Sequence, residues 1–226
     1  TKRQRVSADW LVKLPKGISH RHAMAIGTAG YTAMLCVQGL EDNGVSTNEG
    51  EILVTGATGG VGSVAIMILS KLGYKVVAVT GRAEHSEYLK SLGAEEIISR
   101  EELDRDAKPM EKERWAGVVD CVGGKTLATA IAQTKYNGTV CACGLAGGFE
   151  LNSTVMPFIL RGVKLIGIDS VMAPISKREK AWKRLATDLD LNLLEKSITD
   201  IKFSEVPSAC ADLLEGRSKG RLVVKI

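Results

Sequence analysis

A chain of 226 residues, 45% hydrophobic and 25% charged, can bury a substantial core, and this composition excludes the disordered, fibrous and membrane-embedded classes. Its formal charge of +4 is modest and its basic residues alternate with acids, as in "KREKAWKRLATD", which argues against a nucleic-acid partner and suits an anionic small ligand. No apolar run reaches the about 18 residues of a membrane span and nothing reads as a signal segment, so the expectation is a cytoplasmic protein without a membrane partner, built as one large domain or one domain with a remnant of another.

Residues 1–15 read as a short strand stopped by Pro15, and "SHRHAMAIGTAGYTAMLCVQGLEDNG" as a helix broken internally by glycine. From residue 51 to about 170, short apolar runs alternate with helical patterns. "EILVTG", "YKVVAVTG", "EEIIS", "AGVVDCVG", "GTVCACG" and "VKLIGIDS" read as strands, and the segments between them as helices. Strand and helix at this spacing give right-handed crossover units and a doubly wound parallel sheet, a Rossmann-type α/β fold. The strands are continuous rather than alternating apolar runs, as burial on both faces requires. Beyond residue 173, "SKREKAWKRLATDLDLNLL" is helical and "ITDIKFS" and "GRLVVKI" are strand-like, without neighbours in the parallel sheet. The expected division is therefore 1–17 as a remnant of a second domain, 18–172 as the Rossmann domain and 173–226 as a return to the second domain.

The chemistry concentrates in "VTGATGGVGS", residues 54–63. It resembles the dinucleotide turn G-x-G-x-x-G, with Ala57, Gly59 and Gly62 in the three glycine positions and Gly56 one step earlier. Gly59, Gly60 and Val61 are expected to present N–H groups to a pyrophosphate at a helix N-terminus, where free donors and the helix dipole favour an anion. About 20 residues on, where an acidic residue would hold the ribose of NAD, stand Thr80, Gly81 and Arg82 instead. A guanidinium there suits a 2'-phosphate, so NADP(H) is preferred.

Two further glycine loops, "DCVGG" and "CGLAGG", follow strands at the carboxyl edge of the sheet, where ligands of this fold bind. "GTAGYTA" either brings Thr28, Tyr31 or Thr32 to the cofactor or packs in the core. Three histidines, His20, His22 and His85, without a C-x-x-C pair leave little for zinc; His20 and His22 read as exposed residues at a helix start. Five cysteines in no framework pattern point to a reducing compartment, and Cys141 and Cys143 are expected as buried thiols on opposite sides of a sheet.

"GTAGYTAMLCV", "VTGATGGVGS", "VVAVTGR", "EYLKSLGA", "CGLAGG", "TVMPFILRGVKLIGIDSVM" and "GRLVVKI" together resemble the medium-chain dehydrogenase/reductase superfamily, in its quinone oxidoreductase-like branch and nearest the acryloyl-CoA reductase group. The resemblance implies a zinc-independent, NADPH-dependent reduction of an activated C=C bond, acryloyl-CoA to propanoyl-CoA. It places Thr58, Gly59, Gly60 and Val61 on the pyrophosphate and Thr80, Gly81 and Arg82 on the 2'-phosphate. Arg100 would lie beside the adenine, and Leu145, Ile159 and Ser170 on the nicotinamide side. It also implies a GroES-like catalytic domain ahead of Thr1, to which the terminal strands would belong, and a homodimer paired through "VKLIGIDSVM". No catalytic residue is assigned. A quinone, enal or enone reductase and a non-catalytic NADP(H)-binding protein are the competing readings.

Overall fold

The computed structural model describes residues 4–226. Six parallel strands, β1 (Glu51–Val54), β2 (Lys75–Thr80), β3 (Glu96–Ser99), β4 (Trp115–Asp120), β5 (Thr134–Ala142) and β6 (Lys164–Gly167), form one sheet in the order β3-β2-β1-β4-β5-β6. This is the doubly wound Rossmann order, with its switch point between β1 and β4. Alternate residues of each strand feed opposite cores. Ile52 and Val54 join Val76, Ala78 and Val119 on one face, whereas Leu53 joins Val77, Val79, Val118 and Val140 on the other.

The first face is covered by α1 (His20–Asp42), α2 (Gly60–Lys71), α6 (Ile175–Asp188) and α7 (Leu191–Lys196). The other is covered by α4 (Gly124–Ala132) through Leu127 and Ile131, with α5 (Met156–Arg161) beside it through Phe158. A short helix, α3 (Ser86–Ser91), joins β2 to β3. Ser19 caps α1 by accepting the His22 N–H at 3.0 Å, and Gly27, at φ 49° and ψ −156°, breaks the helix where the sequence places a glycine break. By length and composition this 23-residue helix could cross a membrane, contrary to the expectation that no stretch qualifies, but 67% of its apolar window is buried within the protein. It is apolar around most of its circumference because the sheet, α2 and α6 enclose it.

The chain ends differ from expectation. Residues 4–17 form no strand; they hold a 3-10 turn, Ala8–Trp10, and extended backbone, since no neighbouring strand offers partners for their N–H and C=O groups. The two C-terminal strands, β7 (Ile198–Lys202) and β8 (Arg221–Lys225), pair with each other in parallel and cross over through α8 (Val206–Leu214). Residue 172 is not a packing boundary, because Ala181, Leu185, Leu189 and Leu194 lie buried in the principal core. Ion pairs of Arg184 with Glu41 and of Arg21 with Glu195 fasten α6 and α7 to α1.

Candidate functional site

Between β1 and α2 the backbone comes bare to the carboxyl edge of the sheet. Gly56 has φ +58°, so the turn glycine does stand one residue before Ala57. A Cβ on Gly62 would lie 2.5 Å from the Gly56 oxygen and 2.7 Å from the Ala57 Cα, so this glycine lets α2 cross the strand end. The Gly59 N–H is already spent on the Gly56 carbonyl at 3.0 Å. The free donors of the helix start are therefore Gly60, Val61 and Gly62, one position later than the sequence suggested.

Facing them is a residue that sequence reasoning missed. Arg221 reaches over from β8, its guanidinium filling the space that a Gly60 side chain would need and lying 3.1 Å from that of Gly27. Its Nε donates to the Ala25 carbonyl at 2.6 Å. Among the described residues no carboxylate pairs with it, and burial pulls its pKa down. A half-buried cation beside three free N–H groups is an anion site. Only the arginine itself, in "GRLVVKI", marks it in the sequence, and nothing local distinguishes it from a solvated one.

A cleft of about 370 Å³ opens on one side of this point, lined by Thr58, Thr80, Gly81, Arg100, Val122 and Gly123, with Leu213, Leu214 and Gly216 arching over from the C-terminal segment. Four predicted positions thus meet. The Arg100 guanidinium lies across Gly81, where a Cβ would be 2.8 Å from its Cζ, and among the described residues no hydrogen bond or ion pair holds that side chain. Arg82 is engaged more fully. Its guanidinium donates to Gly216 O (2.6 Å), Thr58 Oγ1 (2.7 Å) and Ser218 O (3.2 Å), while its N–H donates to Thr80 Oγ1 (3.0 Å). The residue expected to be free for a phosphate fastens the C-terminal turn to the glycine loop.

On the other side of Arg221 a second cleft, of about 410 Å³, is lined by Gly27, Thr28, Tyr31, Ser170, Arg178 and Trp182 among others. Tyr31 is buried and its hydroxyl has no hydrogen-bond partner. Thr32 instead donates to the Thr28 carbonyl within α1, which settles it as a core residue. Of the three residues expected on the nicotinamide side only Ser170 lines this cleft. Leu145 follows β5 and is 67% exposed, and Ile159 on α5 is 72% exposed; neither borders either cleft.

Under the glycine loops Asp120 is fully buried and accepts from Thr55 Oγ1 at 2.7 Å and Gly123 N at 2.8 Å, which ties the tips of β1 and β4; burial raises its pKa. Cys141 and Cys143 do not face opposite sides. A strand repeats every two residues, so both turn to the α1 face and pack with Cys121 in the principal core. His20 is exposed as expected, but His22 is half-buried with Nε2 3.3 Å from Glu195. No group of three or more His, Cys, Asp or Glu side chains among the described residues is arranged to hold a metal.

The sequence profile of the zinc-binding dehydrogenase family matches residues 60–187. The Escherichia coli protein named probable acrylyl-CoA reductase AcuI is 53% identical over 222 residues, which are 98% of this chain and 68% of that protein. The chain belongs to the medium-chain dehydrogenase/reductase superfamily. The Ruegeria pomeroyi acrylyl-CoA reductase AcuI is 54% identical over 98% of this superfamily member and 67% of its own length. The Salmonella enterica yhdH oxidoreductase, solved with NADP, superposes with a TM-score of 0.96 at 53% identity, over 98% of this chain and 68% of that one. The Bacillus subtilis yhfP protein, solved with NAD, gives 0.94 at 49% identity over the same shares, 98% and 68%. By its kinship this chain is an oxidoreductase. Among the described residues no donor set is arranged for the zinc of the family's name.

Proposed function

We propose that this chain carries the coenzyme site of an NADPH-dependent, zinc-independent reductase of activated C=C bonds, with acryloyl-CoA as substrate and propanoyl-CoA as product. The observation that carries the coenzyme reading is the Arg221 guanidinium, which has no carboxylate partner among the described residues, facing the free N–H groups of Gly60–Gly62. These groups hold a pyrophosphate between the two clefts. Thr58, Thr80, Gly81 and Arg100 receive the adenosine and its 2'-phosphate, with Arg82 at the rim; Ser170 and Thr28 bound the nicotinamide side. Bound there, the reduced nicotinamide supplies a hydride to the β-carbon of the enoyl thioester, and a proton completes the α-carbon. The substrate assignment rests on the two acrylyl-CoA reductases at 53% and 54% identity.

In this reading residues 4–17 and the β7–β8 unit pack against a GroES-like catalytic domain that shapes the substrate pocket. The exposed Trp10, Leu11, Phe203 and Ile226 suit such a cover. β6, at one edge of the sheet and followed by exposed Val171 and Met172, suits pairing with a second copy. Five free cysteines suit a reducing cytoplasm.

Fluorescence titration with NADPH and NADH tests the coenzyme: tighter NADPH is expected, and equal or absent binding of both overturns it. NADPH oxidation by acryloyl-CoA against a quinone, in the protein carrying the catalytic domain, tests the substrate. A preference for the quinone would reassign it.

A further inference from the structure

We propose that Cys121 and Cys143 are an oxidisable dithiol at the carboxyl tips of β4 and β5, closing to an intramolecular disulfide when a hydroperoxide reaches them. β4 and β5 are parallel neighbours with Asp120 opposite Ala142, so one step further Cys121 stands opposite Cys143, with their sulfurs 3.8 Å apart. Adjacent strands run about 4.8 Å apart, inside the roughly 4.4–6.8 Å range of Cα separations that a disulfide spans. The Cys143 N–H, bonded to the Asp120 carbonyl at 2.9 Å, already clasps the two tips. The sulfurs close to about 2.05 Å by side-chain rotation together with a small shift of the two loops that begin at these residues.

The other thiols are placed differently. Cys36 and Cys141 are buried, the Cys141 thiol donating to the Cys36 carbonyl at 3.4 Å, and Cys210 is exposed by itself on α8. Cys121 and Cys143 are both partly exposed. Hydrogen bonds from Cys121 and then Cys36 pull the Cys143 thiol down, against its burial, whereas the Cys121 thiol is pushed up. The Cys143 Sγ also donates to the Asp120 carbonyl at 3.3 Å, and its ionisation frees it to act as the attacking sulfur. Its thiolate attacks the peroxide, an S–O bond forms as the O–O bond breaks, and a sulfenic acid and one water result. The Cys121 sulfur then attacks that sulfur, the S–S bond forms, the S–O bond breaks and a second water leaves. With hydrogen peroxide, two thiols and one peroxide give one disulfide and two waters, two electrons passing from sulfur to oxygen.

The pair also adjoins residues of the first cleft. The Cys121 Cβ lies 3.1 Å from the position of a Gly56 side chain, and its carbonyl packs against Gly144. The loops that follow are tied by Gly147 N to Val122 O at 2.7 Å, and both residues line the first cleft. Drawing the sulfurs together shifts these loops and weakens dinucleotide binding, a consequence that rests on the coenzyme reading above; disulfide formation itself does not.

Peptide mapping after hydrogen peroxide treatment and alkylation of the remaining thiols tests the pair. The expected product is a Cys121–Cys143 crosslinked peptide about 2 Da below the sum of its parts, reversed by dithiothreitol and absent from Cys143→Ser. Both thiols alkylated while Cys210 oxidises, or a crosslink through Cys36 or Cys141 instead, overturns the proposal, and the wild-type map alone decides this if the variant folds poorly. Oxidised protein should bind NADPH about tenfold more weakly than reduced protein, a loss of about 1.4 kcal/mol. Equal affinities overturn the coupling to the cleft. Failure of reduced protein to bind NADPH counts against the coenzyme reading and leaves the crosslink map to judge the thiols.

Discussion

Gly60 and Gly62 stand two residues apart in one helical turn, and their missing side chains serve different ends. A methyl group at Gly62 meets backbone, the Gly56 oxygen and the Ala57 Cα, which cannot step aside. Gly62→Ala should therefore destabilise the protein by ~1–3 kcal/mol, seen as a fall of several degrees in melting temperature. A methyl group at Gly60 meets chiefly the Arg221 guanidinium, the far end of a long side chain, and touches the Ala29 Cβ at 3.1 Å, so α1 must give only by a few tenths of an ångström. Gly60→Ala should leave the melting temperature within a degree or two and weaken NADPH. If the two variants melt alike, the packing role of Gly62 is wrong. Arginine roles separate in the same manner. Arg221→Ala should weaken NADPH and NADH alike, by ~1.5–3 kcal/mol for a lost charge-assisted contact, because both carry the pyrophosphate. Arg82→Ala should weaken NADPH more than NADH if the guanidinium reaches the 2'-phosphate. An equal loss in isothermal titration would limit Arg82 to its contacts with Gly216, Ser218 and Thr58.

The elements were legible to different degrees. The strands of the sheet and α2 announce themselves because double-faced burial demands unbroken apolar runs. The N-terminal strand failed for the converse reason: a β-type run without a partner strand does not form one. The connection from β3 to β4 was only a polar stretch in the sequence, yet it is organised by one carboxylate. Glu111 accepts both Nη groups of Arg105 (2.7 and 2.5 Å), Gln133 Nε2 (2.9 Å) and Lys108 N (3.1 Å), and these, led by Arg105, lower its pKa from 4.5 to about 2. A depressed folded-state pKa contributes stability that is present above the unfolded value and lost as pH falls from about 4.5 towards 2, at most roughly 3 kcal/mol for this shift. Denaturant titrations at pH 6 and pH 3 should show a smaller loss on acidification for Glu111→Gln than for wild type. Identical losses would remove the linkage.

The whole molecule joins two units, a six-stranded sheet with its helices and the β7–β8 pair, and the proposed coenzyme site lies where they meet. Arg221 from β8 crosses to α2, Gly220 N donates to the Thr58 carbonyl at 2.9 Å, and Leu213 and Leu214 overhang the first cleft. A ligand bridging both units stabilises them jointly. At one hundred times its dissociation constant NADPH should add about 2.7 kcal/mol and raise the melting temperature by roughly 5–10 °C, with a smaller shift from NADH at equal concentration. A C-terminal segment that exchanges its amide hydrogens at the same rate with and without NADPH would show that β8 is no part of the site.

The sequence by itself determined the parallel sheet, the displaced turn glycine and the glycine loops at the carboxyl edge, because periodicity, backbone freedom and strand-to-helix order are local properties. Tertiary structure alone decided that Arg221 faces Gly60, that Arg82 is held by the 216–218 turn, that Cys121 meets Cys143 and that helices beyond residue 172 join the core. Those arrangements arise from contacts between residues distant in the chain, and an arginine, a cysteine or an amphipathic helix has the same local pattern whether its partner is water or another segment of the fold.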